Sequence, residues 1–382
     1  MATIDEDEIQ FRAMQDYCRE GTERAMQLGN RGPVRFNRQG DLHPDIREAY
    51  DRCGFYVFEG VIREPELGEL QDAFHQIFGR FPQSPGAKID SQGRPAVGSE
   101  HGAPSVMWQR PLSDPFGGSA VNKGRHQVRM YEPRPAPDLP EIMPTGVLAP
   151  LQYHDAFLRT YAHPELLRVA AAINGEDFVP FTEAMGCKTA GVGPSVAWHQ
   201  DGMTHWDNPQ WHPGIHGFNF MVQLFGSTAW SGVWYMLGSH RHGKADIPAL
   251  FAAAGCERFA DAVPLVCEAG DVAISNRQVV HGSFANNGEH SRVTFNMGFM
   301  PRASVVDVVG RPFGTDHDIR YDEAVIAERS KMIGYAIDAR RQRFAGETPY
   351  RYRPFADAGV ALHWDEAARQ ASYGYNLKDM VV

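Results

Sequence analysis

The feature that most restricts the fold of this chain is a change of hydrophobic period at Phe178. Before it, residues 163–174 place apolar side chains at helical spacing, whereas from Phe178 onward apolar and polar residues alternate, as they do in half-buried strands. Turn residues separate six strand candidates: Phe178–Lys188, Gly217–Phe225, Gly232–Leu237, Val263–Glu268, Val272–Asn276 and Ser291–Met300. Short strands with few helices between them indicate an antiparallel sandwich or barrel. We therefore expect a mainly β fold with flanking helices, built on a double-stranded β-helix, which is the jelly-roll or cupin-like core.

Both flanks of this region look more helical. Residues 1–44 are polar and carry one predicted helix over Asp7–Leu28, so we expect them to form an extension outside the core. Gly54–Phe58 predicts a strand that leads into a helix, and the chain after residue 302 returns to helical patterns, with a long charged helix over Asp322–Phe344. The sequence thus predicts three parts: an N-terminal extension (1–44), a jelly-roll domain (45–302) and a C-terminal helical cap (303–382).

A long loop precedes the alternating region. Residues 79–125 are rich in glycine, proline and serine, and a loop of this length is either disordered or a cover for a site. Met107, Trp108 and Phe116 within it favour packing against another part of the protein. Both interpretations stay open, and we interpret His126 as an ordinary polar group.

The composition argues against several classes of function. The 382 residues carry a net charge of -10 without a basic block, which argues against nucleic-acid binding. Five scattered cysteines with no CxxC pair indicate neither a disulfide framework nor a thiolate zinc site, and they fit a reducing cytoplasm. The acidic N-terminus lacks the apolar core of a signal peptide, and no apolar run approaches membrane-spanning length. We expect a cytoplasmic protein with a small-molecule substrate, no nucleic-acid or membrane partner, and homo-oligomerisation left open.

A candidate metal site lies in Ala197–Gly202. Its residues His199 and Asp201 are two apart, so on an extended backbone an imidazole and a carboxylate project from the same face and can bind one ion. A third ligand must come from elsewhere, and we nominate His281. Two histidines and one carboxylate with open positions opposite them form the iron(II) arrangement of non-haem oxygenases. The chain has 16 histidines and a His-x-Asp tripeptide is common by chance, so the interpretation depends on residues farther along.

Four segments together carry a resemblance to a known family: His199–Gln200–Asp201, Leu237–Gly238–Ser239–His240, Glu268–Ala269–Gly270–Asp271–Val272, and the run from His281 to Ser291–Arg292–Val293–Thr294. Their order and spacing resemble the phytanoyl-CoA dioxygenase family of iron(II)/2-oxoglutarate oxygenases over most of residues 45–302. The resemblance implies that His199, Asp201 and His281 ligate iron. It also implies that Arg292 binds the distal carboxylate of 2-oxoglutarate and that Ser283 donates a second hydrogen bond to it.

Arginine suits that task because its planar fork bonds both carboxylate oxygens and stays charged. Arg292 leads a predicted strand and would share one face with Thr294 and Asn296, as the wall of a polar cavity would. An alternative remains, in which Arg292 lies at the surface and pairs with Glu289.

The substrate pocket is indicated by aromatic residues. Five of the seven tryptophans lie between residues 198 and 234, and Trp206 is the best candidate for lining the pocket, together with His205. His205, His212 and His216 could in principle form a zinc site, but we favour polar groups of the surface or pocket, since no cysteine assists them. We find no basic surface suited to an acyl-CoA. The expected substrate is therefore a small organic compound with an apolar or ring-containing part.

We thus predict a dioxygenase that uses iron(II), 2-oxoglutarate and dioxygen to hydroxylate, desaturate or cyclise at an unactivated C–H bond. Asp201 argues against halogenation, because halogenating relatives carry a small residue at that position. Two alternatives remain open, namely a cupin-type metal-dependent hydrolase or isomerase with the same ligands, and a non-catalytic jelly-roll binding protein. The first does not explain Arg292 and Ser283, and the intact set of four residues argues against the second.

Overall fold

The structure, a computed structural model, describes residues 6–99, 105–202, 204–310 and 317–375. Its strands in chain order are β1 Arg31–Gly32, β2 Phe55–Phe58, β3 Val106–Gln109, β4 Met143–Leu148, β5 Val179–Lys188, β6 Val196–His199, β7 Phe218–Gln223, β8 Trp234–Met236, β9 Ala262–Pro264, β10 Val272–Asn276, β11 His281–Ser283, β12 Arg292–Met300, β13 Val309–Gly310 and β14 Ile319–Arg320. Its helices are α1 Glu6–Met26, α2 Pro44–Cys53, α3 Glu66–Phe78, α4 Val121–Gly124, α5 Asp155–Tyr161, α6 Pro164–Asn174, α7 Ile247–Ala254, α8 Glu323–Arg343, α9 Arg353–Asp357 and α10 Glu366–Ser372. Within these residues, none of the helices combines the length and the apolar character needed to cross a membrane.

Two sheets form the jelly-roll core. The main sheet has eight strands in the order β1-β2-β10-β7-β12-β5-β4-β3, and the smaller sheet has four in the order β6-β11-β8-β9. All neighbours pair antiparallel except β1 and β2. The six strand candidates correspond to β5, β7, β8, β9, β10 and β12, so the predicted mainly β fold with flanking helices is confirmed.

The two faces of the main sheet differ in character. On the outer face, Phe295 meets Phe157 of α5 edge-on at 5.0 Å, and Phe299 lies 5.2 Å from Tyr161. These rings belong to the largest buried cluster, which joins the sheet to the helices that cover it. The inner face faces the smaller sheet, where Phe55 stacks on Tyr235 at 4.3 Å. The polar alternate positions of β12 lie on this inner face, toward the space between the sheets.

Helix α1 covers the outer face of the smaller sheet. Tyr17 stacks on Trp234 at 4.2 Å, and its hydroxyl donates to the Phe259 carbonyl at 2.7 Å. Gly21 permits the close approach, because a Cβ there would lie 2.3 Å from the Trp234 ring. Residues 1–44, predicted as an extension outside the core, thus bury apolar surface of the core between residues 6 and 44. The division at residue 44 remains a prediction.

The C-terminal part is joined to the core in a similar way. Helix α8, which corresponds to the helix predicted over Asp322–Phe344, packs against α5 and β5. Met332, Ile333 and Ala336 of α8 belong to the same buried cluster as the main sheet. The predicted cap at 303–382 therefore shares its apolar core with the jelly roll over its described residues.

Candidate metal centre

The two histidines of the centre are brought together by the pairing of β6 with β11. His199 is the last residue of β6 and His281 the first of β11, and the two are direct cross-strand partners with ring centroids 4.2 Å apart. Neighbouring Trp198 points the other way, into the apolar cluster beneath α1, because side chains alternate along a strand. The chain turns after His199 and places Asp201 beside both rings.

The three side chains present ligand atoms to a common point. His199 Nε2 lies 3.5 Å from Asp201 Oδ1, and His281 Nε2 lies 3.9 Å from Asp201 Oδ2. One atom from each residue lies within 4.8 Å of the others, and no other group of three such side chains in the described ranges meets that distance. Metal bonds of about 2.0–2.2 Å hold donor atoms roughly 3–4 Å apart. The geometry therefore fits one ion, and it does not support a separate zinc site at His205, His212 and His216.

Backbone carbonyls fix the orientation of both imidazoles. His199 Nδ1 lies 2.8 Å from the Ala197 carbonyl oxygen, and His281 Nδ1 lies 2.9 Å from that of Val279. A carbonyl can only accept, so each Nδ1 carries the proton and each Nε2 keeps a lone pair for a metal. Burial and the neighbouring His199 lower the pKa of His281 to about 4, so this ring is neutral at pH 7, as a ligand must be.

Asp201 is held in its anionic form. Burial alone would raise its pKa, but the interactions with the two neighbouring imidazoles and with the guanidinium of Arg125 outweigh burial and hold the pKa well below its usual range. Asn219 Nδ2, on the inner face of the main sheet, donates to Asp201 Oδ2 at 3.3 Å. The site thus offers two neutral nitrogens and one anionic oxygen, which is the donor set that iron(II) takes in non-haem oxygenases.

A covering loop, defined here as residues 110–130, lies against the ligands. Arg125 Nη1 is 3.3 Å from Asp201 Oδ1, and the His126 ring is 4.4 Å from the ring of His199. Asp114 braces the loop, because its carboxylate accepts from the backbone nitrogens of Gly117 and Met130. The predicted cover over 79–125 therefore reaches the site at its C-terminal end, while residues 100–104 of that prediction lie outside the described residues. No pattern in the sequence indicates that His126 lies beside a ligand.

Arg292 lies on the inner face of β12, as alternation predicts. Its Nε and Nη1 are buried and have no hydrogen-bond acceptor among the described residues, and it forms no ion pair there with Glu289. Burial lowers its pKa only to about 10, so the guanidinium stays charged at pH 7. A buried cation without an acceptor is unfavourable unless a ligand supplies the counter-charge. These two nitrogens therefore fit the distal carboxylate of a dicarboxylic acid.

Lys188 is a further cation that the sequence analysis missed. It is the cross-strand partner of Arg292, it is 4% exposed, and its Nζ donates to Ser283 Oγ at 2.8 Å. Burial and the charge of Arg292 hold the pKa of Lys188 well below its usual range. A lysine that ends a predicted strand resembles an exposed edge residue. Only the register of β5 against β12 reveals that it points inward beside Arg292.

The remaining predicted site residues lie in different settings. Ser283 accepts from Lys188, so its own hydroxyl proton is free to donate to a ligand. Trp206 lines a cleft next to Gln200 and Arg125. His205 is buried, and its Nε2 lies 2.7 Å from the Ser304 carbonyl, so that ring nitrogen already has a backbone partner. Of the two residues predicted for the substrate pocket, the structure thus places Trp206 at a cleft and ties His205 to the backbone.

The chain resembles known proteins in sequence and in fold. The sequence profile of the phytanoyl-CoA dioxygenase (PhyH) family matches residues 50–294. Among solved structures, the chain is similar to EctD from S. alaskensis, crystallised with 2-oxoglutarate and 5-hydroxyectoine. The two sequences are 18% identical, the match covers 77% of this chain and 89% of that chain, and the TM-score is 0.50. It is also similar to AviO1 from Streptomyces viridochromogenes Tue57, with 18% identity, 67% and 93% coverage, and a TM-score of 0.45.

No curated protein sequence matches the chain. The likeness to EctD supports the fold, and the family profile, which spans well over half of the 382 residues, supports the assignment. The chain therefore belongs to the phytanoyl-CoA dioxygenase family and is a 2-oxoglutarate-dependent oxygenase, an enzyme class that works with iron(II), 2-oxoglutarate and dioxygen.

Proposed function

We propose that the protein oxidises an unactivated C–H bond of a small organic substrate that has an apolar or ring-containing part, by hydroxylation or by desaturation or cyclisation. The observation that carries this proposal is the combination of two features between the sheets. His199, Asp201 and His281 converge on a point, and Arg292 has two buried donors with no acceptor among the described residues. The two features are linked, because Lys188, the cross-strand partner of Arg292, donates to Ser283 on the strand that begins with His281.

Each residue has a defined task in this proposal. His199 Nε2, His281 Nε2 and a carboxylate oxygen of Asp201 would hold iron(II). Iron(II) with 2-oxoglutarate supplies oxidising chemistry that consumes dioxygen and releases succinate and carbon dioxide. The carbonyl partners of the two Nδ1 atoms keep the imidazoles turned toward the ion. Asn219 orients the Asp201 carboxylate through its hydrogen bond.

The cosubstrate would be anchored at its far end by two residues of the main sheet, Arg292 and Lys188, and one of the smaller sheet, Ser283. Arg292 offers two free donors, Lys188 adds a second positive charge, and Ser283 donates its hydroxyl proton because it already accepts from Lys188. Two buried cations side by side would repel each other, which favours a neutral Lys188 in the empty site. A carboxylate bound between Lys188 and Arg292 would favour the protonated lysine and form charge-assisted hydrogen bonds with both residues. Burial of these groups also keeps water away from the carboxylate and strengthens both bonds.

The covering loop would shield the centre on the side of the metal. Arg125 and His126 pack against Asp201 and His199, so the loop limits the access of water to the ligands. Trp206 supplies the apolar wall on which a substrate ring can pack. We retain His205 in the proposed pocket as a residue that shapes it through His216, whose ring lies 5.4 Å away.

Each of the two alternatives leaves one observation unexplained. A cupin-type hydrolase or isomerase would use the three ligands but has no need of a buried arginine without an acceptor. A non-catalytic binding protein has no need of the ligands. Membership of an oxygenase family and the free donors of Arg292 both favour the oxygenase.

An anaerobic titration tests the proposal. We expect iron(II) added to the protein, followed by 2-oxoglutarate, to give a weak visible charge-transfer band, because the 2-oxo acid then chelates the metal. The band should be absent from the His281→Ala variant, which lacks one ligand. Absence of the band from the unaltered protein, in the presence of bound iron(II), would refute the oxygenase proposal.

A further inference from the structure

An open cleft lies beside the metal centre, and the charge of its lining residues differs in sign from that of the whole chain. Lys123 and Arg125 of the covering loop and Lys244 of a separate loop line it, together with Gln127, Gln200, Trp206 and Ile247. No acidic side chain is among these lining residues, although the chain has a net charge of -10. The cations come from positions about 120 residues apart, so a scan of the sequence for basic blocks does not find them.

Arg125 is the innermost of the three cations. Its Nη1 lies 3.3 Å from Asp201 Oδ1, while its Nε is buried and has no hydrogen-bond partner among the described residues. A metal ion bound by Asp201 would compete with Arg125 for the lone pairs of the same carboxylate. Arg125 would then hold one donor without an acceptor and one weakened ion pair. A second anion in the cleft would satisfy both.

The two lysines stand at the rim of the same cleft. Both are exposed, and neither side chain forms an ion pair or hydrogen bond with a described residue. The backbone presents Lys123 in an unusual way, since φ is 52° at Asn122 and 58° at Lys123, in the left-handed region that residues other than glycine rarely adopt. Such a conformation next to a metal centre is typical of segments whose shape serves binding.

We propose that this cleft binds an anionic group of the substrate, a carboxylate or a phosphate, and that Arg125, Lys123 and Lys244 are the residues that bind it. The inference rests on the proposed function, because it treats the cleft as the approach to the metal. Trp206 forms the apolar wall of the same cleft, so the substrate combines an anionic group with a ring or other apolar part. Because Arg125 also contacts Asp201, the oxidised carbon lies only a few bonds from the anionic group.

Paired small probes test the inference without knowledge of the natural substrate. Phenyl phosphate and phenol share a ring and differ in the phosphate, and benzoate and benzamide differ in the same way for a carboxylate. Each compound is titrated by calorimetry into the anaerobic protein loaded with iron(II) and 2-oxoglutarate, at fixed ionic strength. We expect at least one anion to bind about tenfold more tightly than its neutral partner. The pair that shows the difference tells phosphate from carboxylate.

A double variant shows whether the cleft is the site. Lys123→Gln with Lys244→Gln should weaken binding of that anion about tenfold, since one exposed ion pair changes affinity about two- to fivefold. The affinity for 2-oxoglutarate should stay the same, because neither lysine faces Arg292. Lys88→Gln is the matched control, an exposed lysine outside the cleft, and it should bind the anion like the unaltered protein.

Three results would overturn the inference: no binding of either anion, equal binding of anions and their neutral partners, or unchanged anion binding in the double variant. Failure of the proposed function has a different signature. In that case the charge-transfer band is missing from the unaltered protein, whatever the probes do. A band together with no preference for anions would refute only the anionic substrate.

Discussion

Arg340 and Arg292 both have buried guanidinium nitrogens, but the two side chains differ in whether those nitrogens have acceptors. Arg340 of α8 is 5% exposed and bonds both oxygens of Glu66 at 2.7 and 3.0 Å, with Glu347 as a second partner at 2.5 Å. Arg292, between the sheets, has buried Nε and Nη1 atoms with no acceptor in the part of the chain that the structure describes. The first arrangement is complete within the chain, whereas the second lacks an anion.

We interpret Arg340 as a charge that stabilises the fold and propose that Arg292 is a charge that binds a ligand. A buried ion pair with all its hydrogen bonds made holds α8 against α3, and removal of one partner leaves the other charge buried. A buried cation without an acceptor weakens the empty fold and strengthens the ligand complex. Substitution of Arg340 should therefore lower the stability of the protein. Substitution of Arg292 should instead lower its affinity for the ligand.

The largest expected effect is on stability, in the α8 region. Arg340→Ala should lower the free energy of unfolding by about 3–5 kcal/mol, because Glu66 remains buried without its partner. Denaturant titration measures this loss. Arg351→Ala, which removes an exposed pair with Asp357, is the control and should change stability by less than about 1 kcal/mol. Equal effects of the two substitutions would show that the α8 pair does not stabilise the fold.

The next effect is on cosubstrate binding, in the inter-sheet region. Arg292→Met should weaken 2-oxoglutarate binding about 100-fold, or about 3 kcal/mol, because two charge-assisted hydrogen bonds are lost. The free energy of unfolding of the ligand-free protein should not fall, since the removed charge has no partner. Arg292→Lys should also bind weakly, because it keeps the charge but not the fork. Loss of stability with unchanged affinity would reverse our assignment of the two regions.

A smaller effect is expected at Lys188, the second cation. Lys188→Met should weaken 2-oxoglutarate binding about tenfold through the loss of one charged neighbour. Binding of 2-oxopentanoate, which has a methyl group where 2-oxoglutarate has its distal carboxylate, should not change. A variant that is merely misfolded would lose both ligands, so equal losses would remove Lys188 from the cosubstrate site.

A last prediction concerns the pH dependence of stability. The folded protein holds the pKa of Lys188 well below its unfolded value of about 10.4, so below that value the unfolded chain binds one proton more. The contribution of Lys188 to the stability of the ligand-free protein should therefore rise with pH toward about 10, by about 1.4 kcal/mol per unit where only the unfolded form is protonated. Lys188→Met should lack this rise between pH 7 and 9.5. Identical pH profiles would show that Lys188 is charged in the empty site.

Local patterns in the sequence predict much of this molecule. Alternation along 178–300 predicts four strands of the main sheet (β5, β7, β10 and β12) and two of the smaller sheet (β8 and β9), and helical periodicity predicts α6 and α8, because these signals arise within one element. Alternation did not predict the two strands that carry His199 and His281. β6 and β11 span Val196–His199 and His281–Ser283, which is too short for an alternating signal, and each contains ligand or glycine residues in place of apolar ones.

Relations between distant elements could not be predicted from local patterns. Glu66 and Arg340 lie 274 residues apart, and Lys188 meets Arg292 only through the register of two strands. The docking of α1 depends on the fit of Gly21 beneath Trp234, which no periodicity reveals. The sequence analysis nominated His281, and the structure brings this residue next to His199. The spacing from His281 to Arg292, as part of the family resemblance, supported that nomination.

The central claim is that three residues hold one iron(II) ion and that Arg292 binds 2-oxoglutarate. The most direct test is a crystal structure with anomalous data at the iron edge, from crystals soaked without oxygen in iron(II) and 2-oxoglutarate. The account predicts a single strong anomalous peak within bonding distance of His199 Nε2, Asp201 and His281 Nε2, with the distal carboxylate of 2-oxoglutarate on Arg292 and Lys188. An iron peak elsewhere, or a dicarboxylate bound away from Arg292, would contradict it.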